Sequence, residues 1–342
     1  HEELRRQVGD QLLAGPRCSV DDAMADGLNA EQALEIAKIF EASGYIDFFN
    51  GIYGRMDTLI GLAVDNMPGM ASPIAPWLQA VGAFKREVGL PVFHAARISD
   101  IATARYAVRD GLIDMVAMTR AHIAEPHLVR KLAEDREAEI RPCVGATHCM
   151  SAHRPVCLHN AATGRETTMP HTITPTNGPK RKAVVIGGGP AGMEAARVLS
   201  ERSHAVTLFE AAPVLGGQAR IGAAASWRSD LIGIVDWRVT ELTRLGVNVH
   251  CNHLAEADDA LAEVPDIVIV ATGGVPDLGW LAGLEHATSI WDLLTGNAPI
   301  GENVIVYDGT GRHPAPHGVC LLYTSDADAE KRGEDIGGRR II

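Results

Sequence analysis

Ala183-Val-Val-Ile-Gly-Gly-Gly-Pro-Ala-Gly-Met-Glu-Ala-Ala-Arg-Val-Leu199, closed by Val206-Thr-Leu-Phe-Glu210, decides how this chain is read. A short apolar run enters a glycine turn, the turn opens into an Ala-rich helical pattern, and a second apolar run ends in an acid. Gly187, Gly189 and Gly192 stand in G-x-G-x-x-G register, with Glu210 eighteen residues beyond the last of them. In such a strand–turn–helix–strand unit the first glycine makes the tight turn. The second lets the backbone approach a pyrophosphate, and the third lets helix and strand pack closely. Ala191 lies in the first helical turn, whose free N–H groups and positive dipole end face the phosphates. Glu210 would accept from a ribose 2′-hydroxyl, which favours a dinucleotide without a 2′-phosphate.

Working outward, 342 residues are enough for two domains or more. Apolar content of 46% and charged content of 22% describe a globular chain, and a net charge of −12 with no basic run argues against a nucleic-acid partner. No stretch has the length of a membrane span and no signal peptide is evident, so neither membrane nor export is expected. Six cysteines, three of them clustered, suggest a metal or redox site in a reducing, cytoplasmic compartment rather than a disulfide framework. The chain opens at His1 inside a helical pattern, Glu2 to Val8. Its end, from Cys320 to Ile342, resembles translated sequencing-adapter DNA and is set aside from fold reasoning. The expectation is therefore an internal piece of a longer enzyme.

Residues 1–140 alternate short apolar runs with amphipathic helices. Strands are expected at Leu12–Gly15, Tyr45–Phe49, Pro91–Ala96 and Met115–Met118. Helices are expected at Ala30–Ser43, Trp77–Val88, Ile101–Asp110 and Pro126–Glu134, with Leu34, Ile36, Ala37, Ile39 and Phe40 as the buried face of the first. Four βα units in unbroken rhythm imply a parallel sheet, as in the second half of an eight-fold βα barrel. Arg17, Arg97 and Arg120 follow the first, third and fourth strands, where three arginines could ring one anionic ligand. His94, within a strand, reads as a core histidine.

Cys143, Cys149 and Cys157 fall within a Gly/Pro-containing loop, a pattern of soft thiolates suited to iron–sulfur or zinc, with His148 and His153 as zinc alternatives. A Pro/Thr/Lys-rich linker follows. Beyond Glu210, Leu215-Gly-Gly-Gln218 is a second turn, with Gly217 and Gln218 close to a ligand. A helix is expected at Leu231–Leu245, strands at Val247–His250 and Asp266–Gly273, and a further strand and glycine turn from Val304 to Gly311.

In this order the features resemble the multidomain old-yellow-enzyme relatives: trimethylamine and dimethylamine dehydrogenases, 2,4-dienoyl-CoA reductase and, most nearly, N-methylproline demethylases. The resemblance rests on Pro91-Val-Phe-His-Ala-Ala-Arg-Ile98, Asp114-Met-Val-Ala-Met-Thr-Arg-Ala-His-Ile123, Arg141-Pro-Cys-Val-Gly-Ala-Thr147, His159-Asn-Ala-Ala-Thr-Gly-Arg-Glu166 and Tyr307-Asp-Gly-Thr-Gly-Arg-His313. It implies an α/β chain: the C-terminal half of a TIM (β/α)8 barrel over 1–140 and a cysteine loop at 141–168. A linker at 169–182, a Rossmann-like FAD/NAD(P)-binding domain at 183–319 and the tail at 320–342 complete it. It also implies Arg17 at the FMN pyrimidine edge, and Arg97, Thr119 and Arg120 on its ribityl and phosphate. Cys143, Cys149 and Cys157 would be ligands of a [4Fe-4S] cluster, and Gly187, Gly189, Ala191, Gly192, Glu210, Gly217 and Gln218 contacts to FAD.

The implied reaction is oxidative N-demethylation of a small amine. The rival is NAD(P)H-driven enoyl or enone reduction, and the non-enzymatic alternative is a nucleotide-binding remnant. Expected partners are a small amine or enoyl substrate, an electron-transfer partner and further copies of the chain in a homo-oligomer. Two departures stand out. Ala146 occupies the place of the family's second cluster cysteine, with His148 as the nearest substitute, and Asp308-Gly-Thr-Gly311 is a poor NAD(P)H fingerprint.

Overall fold

The computed structural model describes residues 2–150, 154–279, 283 and 286–298. The chain divides after His171 into two compact units.

In the first unit, α1 (Glu2–Val8) precedes β1 (Arg17–Ser19), α2 (Ala30–Ala42), β2 (Phe49–Ile52), α3 (Leu59–Gly61) with a π-helical turn at Leu62–Asn66, α4 (Leu78–Lys85) and β3 (Val92–His94). Then come α5 (Ile101–Arg109), β4 (Met115–Val116), α6 (Thr119–Ala124) and α7 (Leu128–Ala133). The strands form one parallel sheet in the order β1-β2-β3-β4. Local chemistry sets the helix starts. Asn29 and Gln32 exchange side-chain-to-backbone bonds in a capping box at α2, and Asp100 accepts from the Thr103 N–H at α5. Phe49, Val81, Val92, Ala107 and Ile113 fill the space between sheet and helices, with Phe84 edge-on to Phe49 at 5.6 Å.

Three expectations need correction here. Leu12 and Leu13 are exposed and form no strand; pairing begins at Arg17, opposite Asn50, so Arg17 opens β1 instead of following it. The second strand lies at Phe49–Ile52, not Tyr45–Phe49. Gly51 looks like a turn residue but lies against Val20 and Val81, where a Cβ would already stand 3.3 Å from each. On α2, Ala33 and Ala37 face the core while Ile36 and Ile39 are exposed.

The second unit contains β5 (Lys182–Ile186), α8 (Pro190–Glu201), β6 (Ala205–Phe209), α9 (Gly217–Ala223), α10 (Ile232–Arg244), β7 (Asn248–His250), α11 (Ala257–Ala262), β8 (Ile267–Val270) and α12 (Ile290–Leu294). Its parallel sheet runs β7-β6-β5-β8, so the chain steps outward twice from β5 and then crosses to its other side. That reversal opens a crevice at the carboxyl end of β5, directly before the glycine turn. Ala183, Val185, Met193, Leu208, Val235 and Leu242 pack the α8–α10 side of the sheet. Val304–Gly311 and the tail lie outside the described residues. No helix among those described is long and apolar enough to cross a membrane.

Candidate functional site

At the carboxyl ends of β3 and β4 the first unit opens a cavity of about 440 Å³, within the range of small-molecule and cofactor sites. Arg17, Arg97, Thr119 and Arg120, drawn from positions 17 to 120 of the sequence, all line it. Arg97 is 6% exposed, and its Nη1 donates to the Gly69 carbonyl. Ala96 and Arg97 carry φ of +83° and +53°, two consecutive non-glycine residues in left-handed conformation at a strand end. Backbone strain of this kind collects at ligand sites, where surrounding contacts hold it. Arg120 Nη1 is buried with no hydrogen-bond partner among the described residues, as is Asn66 Oδ1 on the same wall. A cavity lined by three arginines, one of which keeps an unpaired N–H, suits an anionic group there, so the residues fit a flavin phosphate.

Cys143, Cys149 and Cys157 line a second, smaller cavity together with Ala146, His148 and His159. Burial pushes the Cys143 thiol up; the Gly145 N–H and the Arg120 and Arg97 charges oppose this, and Cys157 adds to it. Cys149 is pushed up by burial and then by Cys143 and Cys157, against Arg120. Thiols that resist ionising beside one another are what a cationic iron centre would deprotonate and hold. Among the described residues no three His, Cys, Asp or Glu side chains come together as a single-ion site. A cluster spreads its thiolates over several irons and does not require that convergence. His153 lies outside the described residues.

The cysteine loop is fastened at its start. Glu125, 4% exposed, accepts from Lys131 Nζ at 2.6 Å and from the N–H groups of His127 and Arg141, the latter two residues before Cys143. Burial opposes its charge, but Lys131, the His127 N–H and Arg141 outweigh that and hold the carboxyl below its ordinary range. Thr163 Oγ1 and Asn160 Nδ2 both donate to the Ile123 carbonyl and fasten the other end.

In the second unit the glycine turn has the expected form. Gly187 has φ +105°, and a Cβ there would run into the Ala271 carbonyl; at Gly192 it would run into the Gly187 carbonyl. Around Gly189 a Cβ would meet nothing within 4 Å, so space lies open beside the turn. Gly189 caps α8, Pro190 begins it, and Ala191 is exposed in its first turn. Glu210 accepts from the Gly188 N–H at 2.6 Å and the Ala212 N–H at 2.7 Å, which holds the acid against the turn. Gly217 approaches Gly189, and Gln218 Nε2 donates to the Gly274 carbonyl at 3.1 Å. Of the remaining residues named from the sequence, His94 is buried, with its Nδ1–H donating to the Gly51 carbonyl; burial lowers its pKa and keeps the ring neutral.

Sequence reasoning missed Asn50, Asn66 and Glu125. Asn66 reaches the cavity from a π-helical turn inside what reads as a loop, and no periodic signal marks it.

Residues 185–236 match the family described as NAD(P)-binding Rossmann-like domain. Across 92% of its length the chain is 54% identical to a multifunctional alkene reductase/demethylase of Caballeronia cordobensis, and covers 46% of that protein. Across 96% of its length it is 46% identical to a probable N-methylproline demethylase of Rhizobium meliloti, and covers 49% of it. The solved structure of a 2-naphthoyl-CoA reductase in complex with 2-naphthoyl-CoA superimposes with a TM-score of 0.80 at 30% identity, over 87% of this chain and 46% of that one. The chain thus spans about half the length of the relatives it matches.

Proposed function

Because this chain belongs to the old-yellow-enzyme-like oxidoreductase family, we propose that its protein carries out flavin-dependent oxidative N-demethylation of a small N-methyl amine or amino acid. In this reading the β1-β2-β3-β4 sheet is the C-terminal half of a (β/α)8 barrel, 141–168 is the cluster loop, and the second unit is an FAD/NAD(P)-binding domain. The observation that carries it is a shared wall. Arg120, Ile123, Cys143, Gly145 and Cys149 line both the arginine-ringed cavity and the cysteine cavity, so a flavin and a cluster would be neighbours.

When bound, FMN supplies a hydride acceptor, the cluster a one-electron relay and FAD a second nucleotide cofactor. The chain's own residues bind and tune. Arg17 brings positive charge to the cavity, which favours an electron-rich ring there. Arg97, Thr119 and Arg120 offer donors for a ribityl chain and phosphate, and the strained turn at Ala96 and Arg97 sets the direction of the Arg97 side chain. In the second unit the open face at Gly189 and the first-turn N–H groups of α8 receive a pyrophosphate, and Glu210 stands by for a ribose hydroxyl.

The test is anaerobic reduction of the purified holoprotein. N-methylproline should bleach the flavin and release formaldehyde, whereas proline should do neither. Bleaching by NAD(P)H alone, with reoxidation by an enone, would replace this reading with the reductase chemistry that the Caballeronia and naphthoyl-CoA relatives carry in their names.

A further inference from the structure

We infer that His159 is the fourth ligand of the iron–sulfur cluster held by Cys143, Cys149 and Cys157, an inference that rests on the cluster reading above. The three cysteines line one cavity, and Ala146, at the place of the family's second cluster cysteine, brings only a methyl, which cannot bind iron. Among the described residues two histidines line the same cavity. His148 is exposed, whereas His159 is 2% exposed and fixed at both ends of the loop. Its Nδ1 lies 3.0 Å from the carbonyl of Pro142, the residue before Cys143, and its own N–H donates to Cys157 Sγ at 3.4 Å.

A carbonyl oxygen only accepts, so Nδ1 carries the ring proton and Nε2 carries the lone pair. A ring N–H spent on a backbone carbonyl is the usual support of a metal-bound imidazole: it fixes the tautomer and orients the ring. Imidazole in place of thiolate also removes a negative charge from the centre. In clusters where histidine replaces cysteine, this raises the reduction potential. The chain would therefore hold a cluster easier to reduce than one with four thiolates.

The experiment is pulsed EPR on the dithionite-reduced, anaerobically purified protein, with iron and acid-labile sulfide counted per chain. Wild type should hold about four irons, the content of a cubane cluster, and should show a directly coordinated ¹⁴N coupling. His159→Gln should lose that coupling and give a three-iron signal when oxidised. His159→Cys should keep the full iron content, lose the coupling and titrate at a lower potential, and His148→Gln should match wild type. Persistence of the nitrogen coupling in His159→Gln, its loss in His148→Gln, or full iron without any nitrogen coupling in wild type would overturn the inference and leave the cluster reading intact. Flavin without iron in wild type would remove the cluster reading itself, and the inference with it.

Discussion

The two candidate cofactor sites would meet a phosphate in opposite ways. In the second unit the turn from Gly187 to Gly192 uses backbone: glycines that leave room, first-turn N–H groups and an acid bonded back onto the turn. In the first unit the cavity uses side chains, three arginines and a threonine drawn from positions 17 to 120. A backbone site is fixed by what the chain cannot carry, namely a Cβ. A side-chain site is fixed by what must be present, namely charge. Substitutions should therefore act on the two sites by different rules.

The largest effect should come from Gly192→Ala, whose new methyl collides with the Gly187 carbonyl. Relief requires α8 to move off β5, and a loss of about 3 kcal/mol is expected, as for severe overpacking. Thermal unfolding together with FAD retention measures it, and an unchanged Tm with full FAD would remove steric exclusion as the basis of the turn. A comparable loss should come from Glu125→Gln, which leaves Lys131 beside a neutral partner. Breaking a buried pair costs about 3–5 kcal/mol, and the 16% of the Lys131 side chain still open to water puts this case at the lower figure.

The pH dependence of that pair has a definite sign. The folded pKa of Glu125 is depressed, so its contribution is present above the ordinary glutamate range and is lost as pH falls through the lower folded value. Wild type should lose stability on acidification in that window and Glu125→Gln should lose less, as denaturant titrations at several pH values would record.

A smaller effect, confined to binding, is expected at Arg120. Arg120→Gln should weaken FMN binding by about 2 kcal/mol, the scale of a hydrogen bond to a charged group, and Arg120→Lys by less, with FAD content unchanged in both. Equal loss from both variants would mean that fork geometry, not charge, matters there. The smallest stability change should be that of Gly189→Ala. A Cβ there meets nothing and φ is −70°, so the fold should shift by less than about 1 kcal/mol. FAD should nonetheless bind more weakly, because the methyl enters the space left for the pyrophosphate. An Ala variant that keeps full FAD affinity would break the contrast between the two sites.

The same contrast explains what could be read from the chain. The glycine turn is contiguous, and each of its conformational demands is met by one residue type, so Gly187, Gly189 and Gly192 were legible one by one. Arg97 and Arg120 were legible from their places after apolar runs. Arg17 lines the cavity, but its strand was misplaced because exposed Leu12 and Leu13 mimic a buried run. β2 was displaced because Gly51 reads as a breaker where the core demands a missing side chain. Glu125, Asn66 and the role of His159 depend on tertiary contacts across 11 to 17 residues, which no local period encodes.

The most direct test of the central claim, that this chain builds two separate cofactor sites of opposite design, is a census of released flavin on anaerobically purified protein. Acid release and chromatography should yield both FMN and FAD, with Arg120→Gln depleting only FMN and Gly189→Ala only FAD. FAD alone in wild type, with no FMN to lose, would contradict the account.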